Sequence, residues 1–398
     1  MNKSIHFTGQ PTFSQLISLL PKDIVSSSVE SNQSDRYYKY FTTWHHLVSM
    51  LFCCYGHCHS LREVVSGMRA LEGRLQSSGI RYFPARSTFS EANAKRDSKV
   101  FEDIYLGLKR YWDQILPDSR SKNDGVYIMD STTIKLFQEI FKGAGISKSD
   151  GRRKGGLKVH MAVHAQDTVP SIIHISQAAS NDMVFTKYLN LPAKSTVIMD
   201  RGYRDYRQYN EWTQQQIRWV TRMHPNSYYE IIESFPVNTS QQLLGVQQDV
   251  HVRLGAPPKK ISKVNCRLIC YKAQNGKYFE FITNDFESEP FLIAQLYHKR
   301  WSIELLFKRL KQNMPLKYFL GDNQNAIRIQ IWCALIADLL LQVVRKQVKR
   351  KWAFSTIVSI VRLHLFNYLN LISFLENPEQ CLIQNRPAQI QLRINLSD

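Results

Sequence analysis

Asp130 and Asp200 each close a short apolar run, Val126-Tyr127-Ile128-Met129 in one case and Ser195-Thr196-Val197-Ile198-Met199 in the other. Such runs read as buried strands. A carboxylate at the C-terminal end of a strand projects from the sheet edge where open α/β folds hold their ligands. A single strand-end aspartate commonly serves as a turn residue; two in the same local setting point to a site. A third acid, Glu304, lies in the segment Tyr297-His298-Lys299-Arg300-Trp301-Ser302-Ile303-Glu304-Leu305-Leu306-Phe307-Lys308-Arg309-Leu310-Lys311. At about 100° per residue, Tyr297, Arg300, Glu304 and Lys311 fall within roughly 60° of one another. Leu296, Ile303, Leu306, Phe307, Leu310 and Met314 form a separate apolar stripe. The competing reading is an exposed helix with an Arg300–Glu304 pair contributing a few tenths of a kcal/mol, which leaves the tyrosine and the distant lysine on that line unexplained. Three carboxylates are the oxygen ligands that magnesium takes. A pair of ions about 4 Å apart stabilises both the attacking and the leaving oxygen of a phosphodiester displacement. Arg300 and Lys311 beside Glu304 suit backbone phosphates, Lys308 is a further DNA-contact candidate, and Tyr297 suits a sugar or base.

The elements that must position these residues follow from the pattern. Residues 1–120 read as helical, with apolar positions such as Leu47, Met50 and Leu51, then Phe101, Ile104, Tyr105 and Leu108, at helical spacing. Thr88 and Glu91 suggest a capping box for a helix carrying Lys95 and Arg96 beside Arg81 and Arg86. That helix reads equally as a phosphate contact or as a solvated basic face, which makes Arg96 a DNA-binding candidate. After the strand ending at Asp130, Leu157–His164 and Val169–Ile175 read as a hairpin turning at Gln166-Asp167, with Lys158, His160 and His164 on a solvated face. Asn181–Leu191 and Tyr203–Gln214 read as helices, and Ile217–Arg222 as a fifth strand. Short strand-like runs then occupy 225–287, and one helix runs from about Pro290 to Met314. The expected organisation is a helical DNA-binding region at 1–120, an α/β catalytic core at 121–224 and 288–320 interrupted by a β-rich insertion at 225–287, and a helical region at 321–398.

Composition narrows the partners. The 52 Lys plus Arg outnumber the 33 Asp plus Glu, a net charge of +19, and a surplus of that size attracts polyanions, most often nucleic acid. The basic run Arg152-Arg153-Lys154-Gly155-Gly156 is a flexible loop able to touch DNA or simply be solvated. Seven cysteines, an odd number, argue against a disulfide framework and for a reducing cytoplasm. Cys53, Cys54, His57, Cys58 and His59 fit no paired zinc-ligand spacing and read as ordinary buried side chains. The start at Met1–His6 has no apolar signal region. Residues 42–61 and 329–344 are apolar stretches read as buried helices rather than membrane spans, so no membrane partner is expected.

The spacing Tyr297-x2-Arg300-x3-Glu304-x6-Lys311 resembles the Y-R-E-K signature of the IS4-type bacterial insertion-sequence transposases. The contexts Asp130-Ser131-Thr132-Thr133 and Asp200-Arg201-Gly202-Tyr203 are similar to that family, and so is the order of elements over nearly the whole chain. The resemblance implies a ribonuclease-H-like catalytic core in which Asp130, Asp200 and Glu304 are the D-D-E triad, catalytic and metal-binding together. It also implies two Mg²⁺ or Mn²⁺ ions, and double-stranded DNA as substrate, namely the terminal inverted repeats and the target. A homodimer in a synaptic complex and a nucleoid-associated cytoplasmic location follow from it as well. Some members form a hairpin and flip a base onto a tryptophan of the β insertion. Residues 224–290 contain no tryptophan, which leaves Tyr228, Tyr229 or Phe235 as substitutes. The alternatives are a catalytically silent DNA-binding protein of the same fold and a metal-dependent DNA nuclease.

Overall fold

The structure is a computed structural model, and it describes residues 9–116, 125–135, 156–165, 169–177, 180, 182–255, 263–316 and 318–380. The expected start, most of the basic run at 152–155 and the turn at Gln166-Asp167 lie outside the described residues. The chain forms two compact units, residues 1–108, 313–321 and 329–398 in one and 109–312 and 322–328 in the other.

The first unit is helical. Its N-terminal part comprises α1 (Thr12–Ile17), α2 (Lys22–Asn32), α3 (Thr43–Gly56), α4 (Leu61–Ala70), α5 (Arg86–Lys95) and α6 (Lys99–Tyr111). Helix α3 is buried around most of its circumference, from Leu47 and Met50 to Cys53 and Tyr55, as expected of a helix apolar on all sides. Cys53 and Cys54 of α3 and Cys58 just beyond it are buried and free, as side chains of a packed core. Arg96, expected from the sequence to contact DNA, is instead a core residue with 2 % exposure. Its guanidinium donates to the carbonyls of Phe41 at 2.7 Å and Ser34 at 3.4 Å and to His46 Nδ1 at 3.0 Å. A buried guanidinium must satisfy its donors inside the protein, and the loop before α3 supplies the acceptors. The Thr88–Glu91 capping box is also corrected. Helix α5 starts at Arg86 with Ala85 at its N-cap and no side-chain cap, and Glu91 pairs with Lys95 at 2.6 Å.

The second unit is built on a nine-stranded sheet of order β3-β2-β1-β4-β5-β9-β8-β7-β6. The strands are β1 (Val126–Lys135), β2 (Gly156–His164), β3 (Ile172–Gln177), β4 (Thr196–Met199), β5 (Arg218–Arg222), β6 (Tyr229–Ser234), β7 (Val246–Leu254), β8 (Val264–Lys272) and β9 (Tyr278–Thr283). Strands β1 to β3 pair antiparallel, and β4 and β5 join β1 in parallel. That is the expected ribonuclease-H-like order. The strands expected as an insertion extend the same sheet, because β9 pairs antiparallel with β5. Helices α7 (Met183–Thr186), α8 (Tyr206–Gln214), α9 (Thr239–Leu243), α10 (Pro290–His298) and α11 (Trp301–Asn313) complete the unit. The helix expected over Asn181–Leu191 is thus a single turn, and that expected over Tyr203–Gln214 starts at Tyr206.

The single helix expected from Pro290 to Met314 is broken. The Lys299, Arg300, Ser302 and Ile303 amides bond three residues back, to Leu296, Tyr297, Lys299 and Arg300. This tighter winding ends α10 and starts α11, so the count of 100° per residue does not carry across it. His160 and His164, expected on a solvated face, are 1 % and 4 % exposed; they share the face of Ala162, which joins the core cluster, with His160 stacked on Phe185 and His164 edge-on to Tyr127.

Helix α12 (Gln324–Gln347) is followed by α13 (Phe354–Leu363) and α14 (Leu371–Glu376). The 24 residues of α12 are long and apolar enough to cross a membrane, and 94 % of their most apolar stretch is buried in the protein. Within the helical unit α1 is tied to the far end of the chain. The Thr12 and Phe13 amides donate to the carbonyls of Asn367 and Leu365 at 3.0 and 2.8 Å, and Phe13 packs edge-on against Phe52 and beside Phe366.

Two expectations follow. Arg96→Ala leaves buried carbonyls and His46 without their donor and should cost about 3 kcal/mol in denaturant unfolding, against under about 0.5 kcal/mol for exposed Lys95→Ala. Burial, then the adjacent Arg96 charge, lowers the His46 pKa to about 3. The His46 ring should therefore stay neutral, with an unchanged NMR signal, from pH 8 to 5; a midpoint near 6.5 would contradict this.

Candidate active site

The parallel registers set the geometry. Strand β1 pairs with β4 from Val126↔Thr196 to Met129↔Met199, and β4 with β5 from Thr196↔Arg218 to Ile198↔Val220. Continued by one or two residues, the two registers put Asp130, Asp200 and Arg222 in one row across three adjacent strands. Side chains alternate between the faces of a sheet. Tyr127, Met129, Val197, Met199 and Trp219 join a buried cluster with Trp212 of α8 on one face. The row of even-numbered residues therefore turns to the other face. Asp130 does not end its strand, as the sequence suggested. It sits midway along β1, opposite Met161 of β2, and it is pairing with β4 that stops there.

Helices α10 and α11 bring the rest. Arg300, in the tight turn between them, donates from one terminal nitrogen to Asp130 Oδ2 at 3.2 Å and from the other to Glu304 Oε1 at 2.5 Å. Arg222 donates to Asp200 Oδ1 at 2.9 Å, and the Tyr297 hydroxyl donates to the same oxygen at 3.3 Å. The Tyr297 ring lies 5.7 Å from both the Arg222 and the Arg300 guanidinium carbon and 4.9 Å from the Phe281 ring of β9. Asp130, Asp200 and Glu304, far apart in sequence, thus share one cluster with Tyr297 and Arg300. Lys308 and Lys311 lie farther along α11 and are exposed.

The electrostatics follow from this packing. Burial raises the Asp130 pKa to about 6, with the charges of Asp200 and Glu304 adding to the rise and the Ser131 amide and Arg300 opposing it. For Asp200 burial also acts upward, but the Arg222 hydrogen bond and charge, with the Arg201 amide and Arg300, outweigh it and hold the pKa below the usual aspartate value. Three carboxylates against two guanidiniums leave one formal negative charge in a partly desolvated pocket, which favours a cation. The donor set is all hard oxygen, as Mg²⁺ or Mn²⁺ requires. Among the described residues no three acid, imidazole or thiolate groups stand arranged to hold a metal ion as they are. The Arg300 guanidinium lies between two of the candidate ligands and takes the role of counter-ion.

Two features were not singled out in the sequence. Arg222 ends the strand parallel to the Asp200 strand, and the strand-end argument applied to Asp200 also reaches it. Behind the row, Asp182 accepts from the Ser131 hydroxyl at 2.9 Å and pairs with Lys158 at 3.1 Å. Lys158, expected on a solvated face, is therefore held by this acid. His160 lies 3.7 Å from Asp182 and stacks on Phe185, and its pKa is lowered to about 4 by burial above all. No spacing rule links position 182 to 131 or 158.

Residues 121–340 match the sequence model of a family described as Transposase DDE domain, and residues 8–81 match one described as a domain of unknown function. A protein of Sinorhizobium fredii (strain NGR234) named as a transposase is 29 % identical over 264 residues, 65 % of this chain and 71 % of that protein. A protein of Synechocystis named as the transposase of insertion sequence element IS4SA is 27 % identical over 64 % of this chain and 70 % of its own length. One from Geobacillus stearothermophilus, named for element IS5377, is 26 % identical over 59 % and 61 %. Among solved structures, the piggyBac transposase synaptic complex with hairpin DNA aligns over 94 % of this chain and 80 % of that one, at 11 % identity and a TM-score of 0.43, a likeness too loose to build on.

The raised Asp130 pKa carries a stability signature. Its folded-state value lies above its unfolded one, so its contribution is fully present below about pH 4 and is lost as pH rises through about 6. In EDTA, Asp130→Asn should raise the melting temperature above wild type at pH 8, with the gap closing toward pH 4. A gap that does not depend on pH would contradict the assigned burial.

Proposed function

The chain belongs to the DDE transposase family, enzymes that act on DNA with divalent metal ions, and from that premise we propose that Asp130, Asp200 and Glu304 are its catalytic, metal-holding residues. The proposed reaction is cleavage at the terminal inverted repeats of an insertion sequence and joining of the freed 3′ ends to target DNA. The observation that carries the reading is the gathering of the three acids with Arg300 and Tyr297 around one row of the parallel sheet.

Two ions, Mg²⁺ or Mn²⁺, held by these carboxylates would stabilise charge on the scissile phosphate and on the attacking and leaving oxygens. Every other role falls to the chain itself. Tyr297 and Arg222 fix the Asp200 oxygen from two directions, which orients its second oxygen. Arg300 neutralises Asp130 and Glu304 while no cation is present. With a cation held by those carboxylates the guanidinium would be free to turn to a backbone phosphate, which a bidentate donor of that kind suits. Lys311 and Lys308, exposed on α11, extend the basic track along the strand. In the first step a water oxygen bonds to phosphorus, the P–O3′ bond breaks and the 3′ oxygen leaves as a hydroxyl. In the second, that hydroxyl attacks a phosphodiester of the target and expels its 3′ oxygen, so each step exchanges one P–O bond for another. Where a hairpin forms, Tyr228, 58 % exposed, is the proposed stacking surface for a flipped base. A homodimer bridging two ends, in the nucleoid, completes the proposal.

The test mixes the full chain with labelled duplex carrying the element's ends, in Mg²⁺ and in EDTA. Cleavage at the ends should require metal and fall to the EDTA background in Asp130→Ala, Asp200→Ala and Glu304→Ala. Cleavage that persists in those three would refute the assignment. Cleavage without joining to an added target duplex would favour a nuclease, and binding without cleavage a silent DNA-binding protein. Arg300→Ala and Lys311→Ala should each lower the slope of log affinity against log salt by about 0.9; an unchanged slope in both removes them from the phosphate contacts.

A further inference from the structure

The helical unit holds a cavity of about 700 Å³ that the catalytic reading does not use. Arg62, Arg86, Ser87 and Ser90 line it, with Ser60 at one edge and Phe319 on its wall. Arg62 stands in the first turn of α4 and Arg86 is the first residue of α5, so the cavity lies where the starts of two ten-residue helices meet. The two starts differ. At α4, Ser60 Oγ accepts from the Glu63 amide, and the Glu63 carboxylate accepts in return from the His59 amide at 2.9 Å. The only acid in that turn is thereby tied to its own cap. At α5 the N-cap is Ala85 and no side chain caps the helix. Arg62, Arg86, Ser87 and Ser90 find no ion pair or side-chain hydrogen bond among the described residues. Two uncompensated guanidiniums, two hydroxyls and an uncapped helix start are thus turned into one space.

We infer that this cavity is a docking site for the phosphodiester backbone of duplex DNA, in the unit that does not carry the carboxylates. The chemistry is that of anion recognition, with guanidinium forks, hydroxyl donors and free helix amides at the positive end of a helix dipole. Size and access favour a polymer over a lone anion. The space is far larger than one phosphate needs, and Arg62, Arg86, Ser87 and Ser90 are all exposed, so a strand can cross it without being enclosed. Tyr318, 47 % exposed and edge-on to His59 at 4.7 Å, offers a flat apolar surface in the same unit. The surplus of 19 positive charges points to the same partner. The inference rests on the reading of the chain as a DNA-processing enzyme, and it gives the N-terminal domain of unknown function a task within that reading.

The test measures binding rather than cleavage. Fluorescence anisotropy with a labelled duplex of arbitrary sequence is followed across a salt series in EDTA, on the full chain. Arg62→Ala/Arg86→Ala should weaken binding on the order of tenfold and lower the salt slope by about 1.8, roughly 0.9 per phosphate contact. Its melting temperature should match wild type, since both side chains are exposed, and Arg62→Lys/Arg86→Lys should recover most of the slope. Arg69→Ala/Arg74→Ala, which removes the same charge elsewhere on the unit, should leave the slope unchanged. An unaltered slope in the first double variant, or an equal loss in the second, overturns the inference. So does a third outcome, in which inorganic phosphate at matched ionic strength raises the melting temperature of wild type but not of Arg62→Ala/Arg86→Ala, while both bind DNA alike; that would assign the cavity to a free anion. Failure of the carboxylate variants to lose cleavage would leave these slopes untouched, so the two readings fail separately.

Discussion

The candidate active site depends on the register of two parallel pairings. Because Val126 faces Thr196 and Thr196 faces Arg218, residues 130, 200 and 222 fall in line without any side chain having to find another. A slip of one residue on β4 would turn Asp200 to the face occupied by Trp212 and Trp219, where a carboxylate would meet only apolar side chains. Burial of Val197 and Met199 on one face and of Ile198 on the other makes such a slip costly. The packing of the strands thereby sets where the three side chains stand.

What that alignment gathers is unstable unless compensated. Carboxylates brought out of water beside one another raise each other's proton affinity, and the Asp130 pKa reflects this. Arg300 and Arg222 are the compensation. Arg300 bonds two acids from opposite sides of the site, Asp130 on the sheet and Glu304 on α11. A helix and a strand 170 residues apart are thereby held together by one planar cation. The arrangement keeps these two acids assembled in the protein alone, each with an oxygen engaged by the same guanidinium.

Much of this was legible in the residues. The five strands of the first half, the two aspartates and the helical row around Glu304 could be read from apolar runs and from spacing, because strand and helix periods are local properties. What escaped reading was set by tertiary contact. The alternation in β2 suggested a solvated face for Lys158, His160 and His164, but Phe185 and Tyr127 pack over that face and bury the two histidines. The basic helix at 86–95 has the composition of a DNA contact, yet Arg96 at its end turns inward to the carbonyls of Ser34 and Phe41. Asp130 looked like a strand end because the run of apolar residues stops there, whereas the hydrogen bonds to β2 continue to Lys135. The β-rich stretch at 225–287 looked like a separate insertion because sequence does not say which edge a strand joins; its last strand pairs with β5.

The tie between α1 and the region around Leu365–Leu369 reaches across more than 350 residues of chain. Closing so large a loop is slow and entropically costly, and it offers no reward until both ends exist. While the protein is being synthesised, Phe13 has no Phe366 to pack against until more than 350 residues after it have emerged from the ribosome. The helical unit, with the basic cavity between α4 and α5, is thus completed after the sheet unit, although α1 to α5 are made before it. A growing chain therefore cannot close this unit early, and its maturation is timed by translation of the segment around Leu365–Leu369.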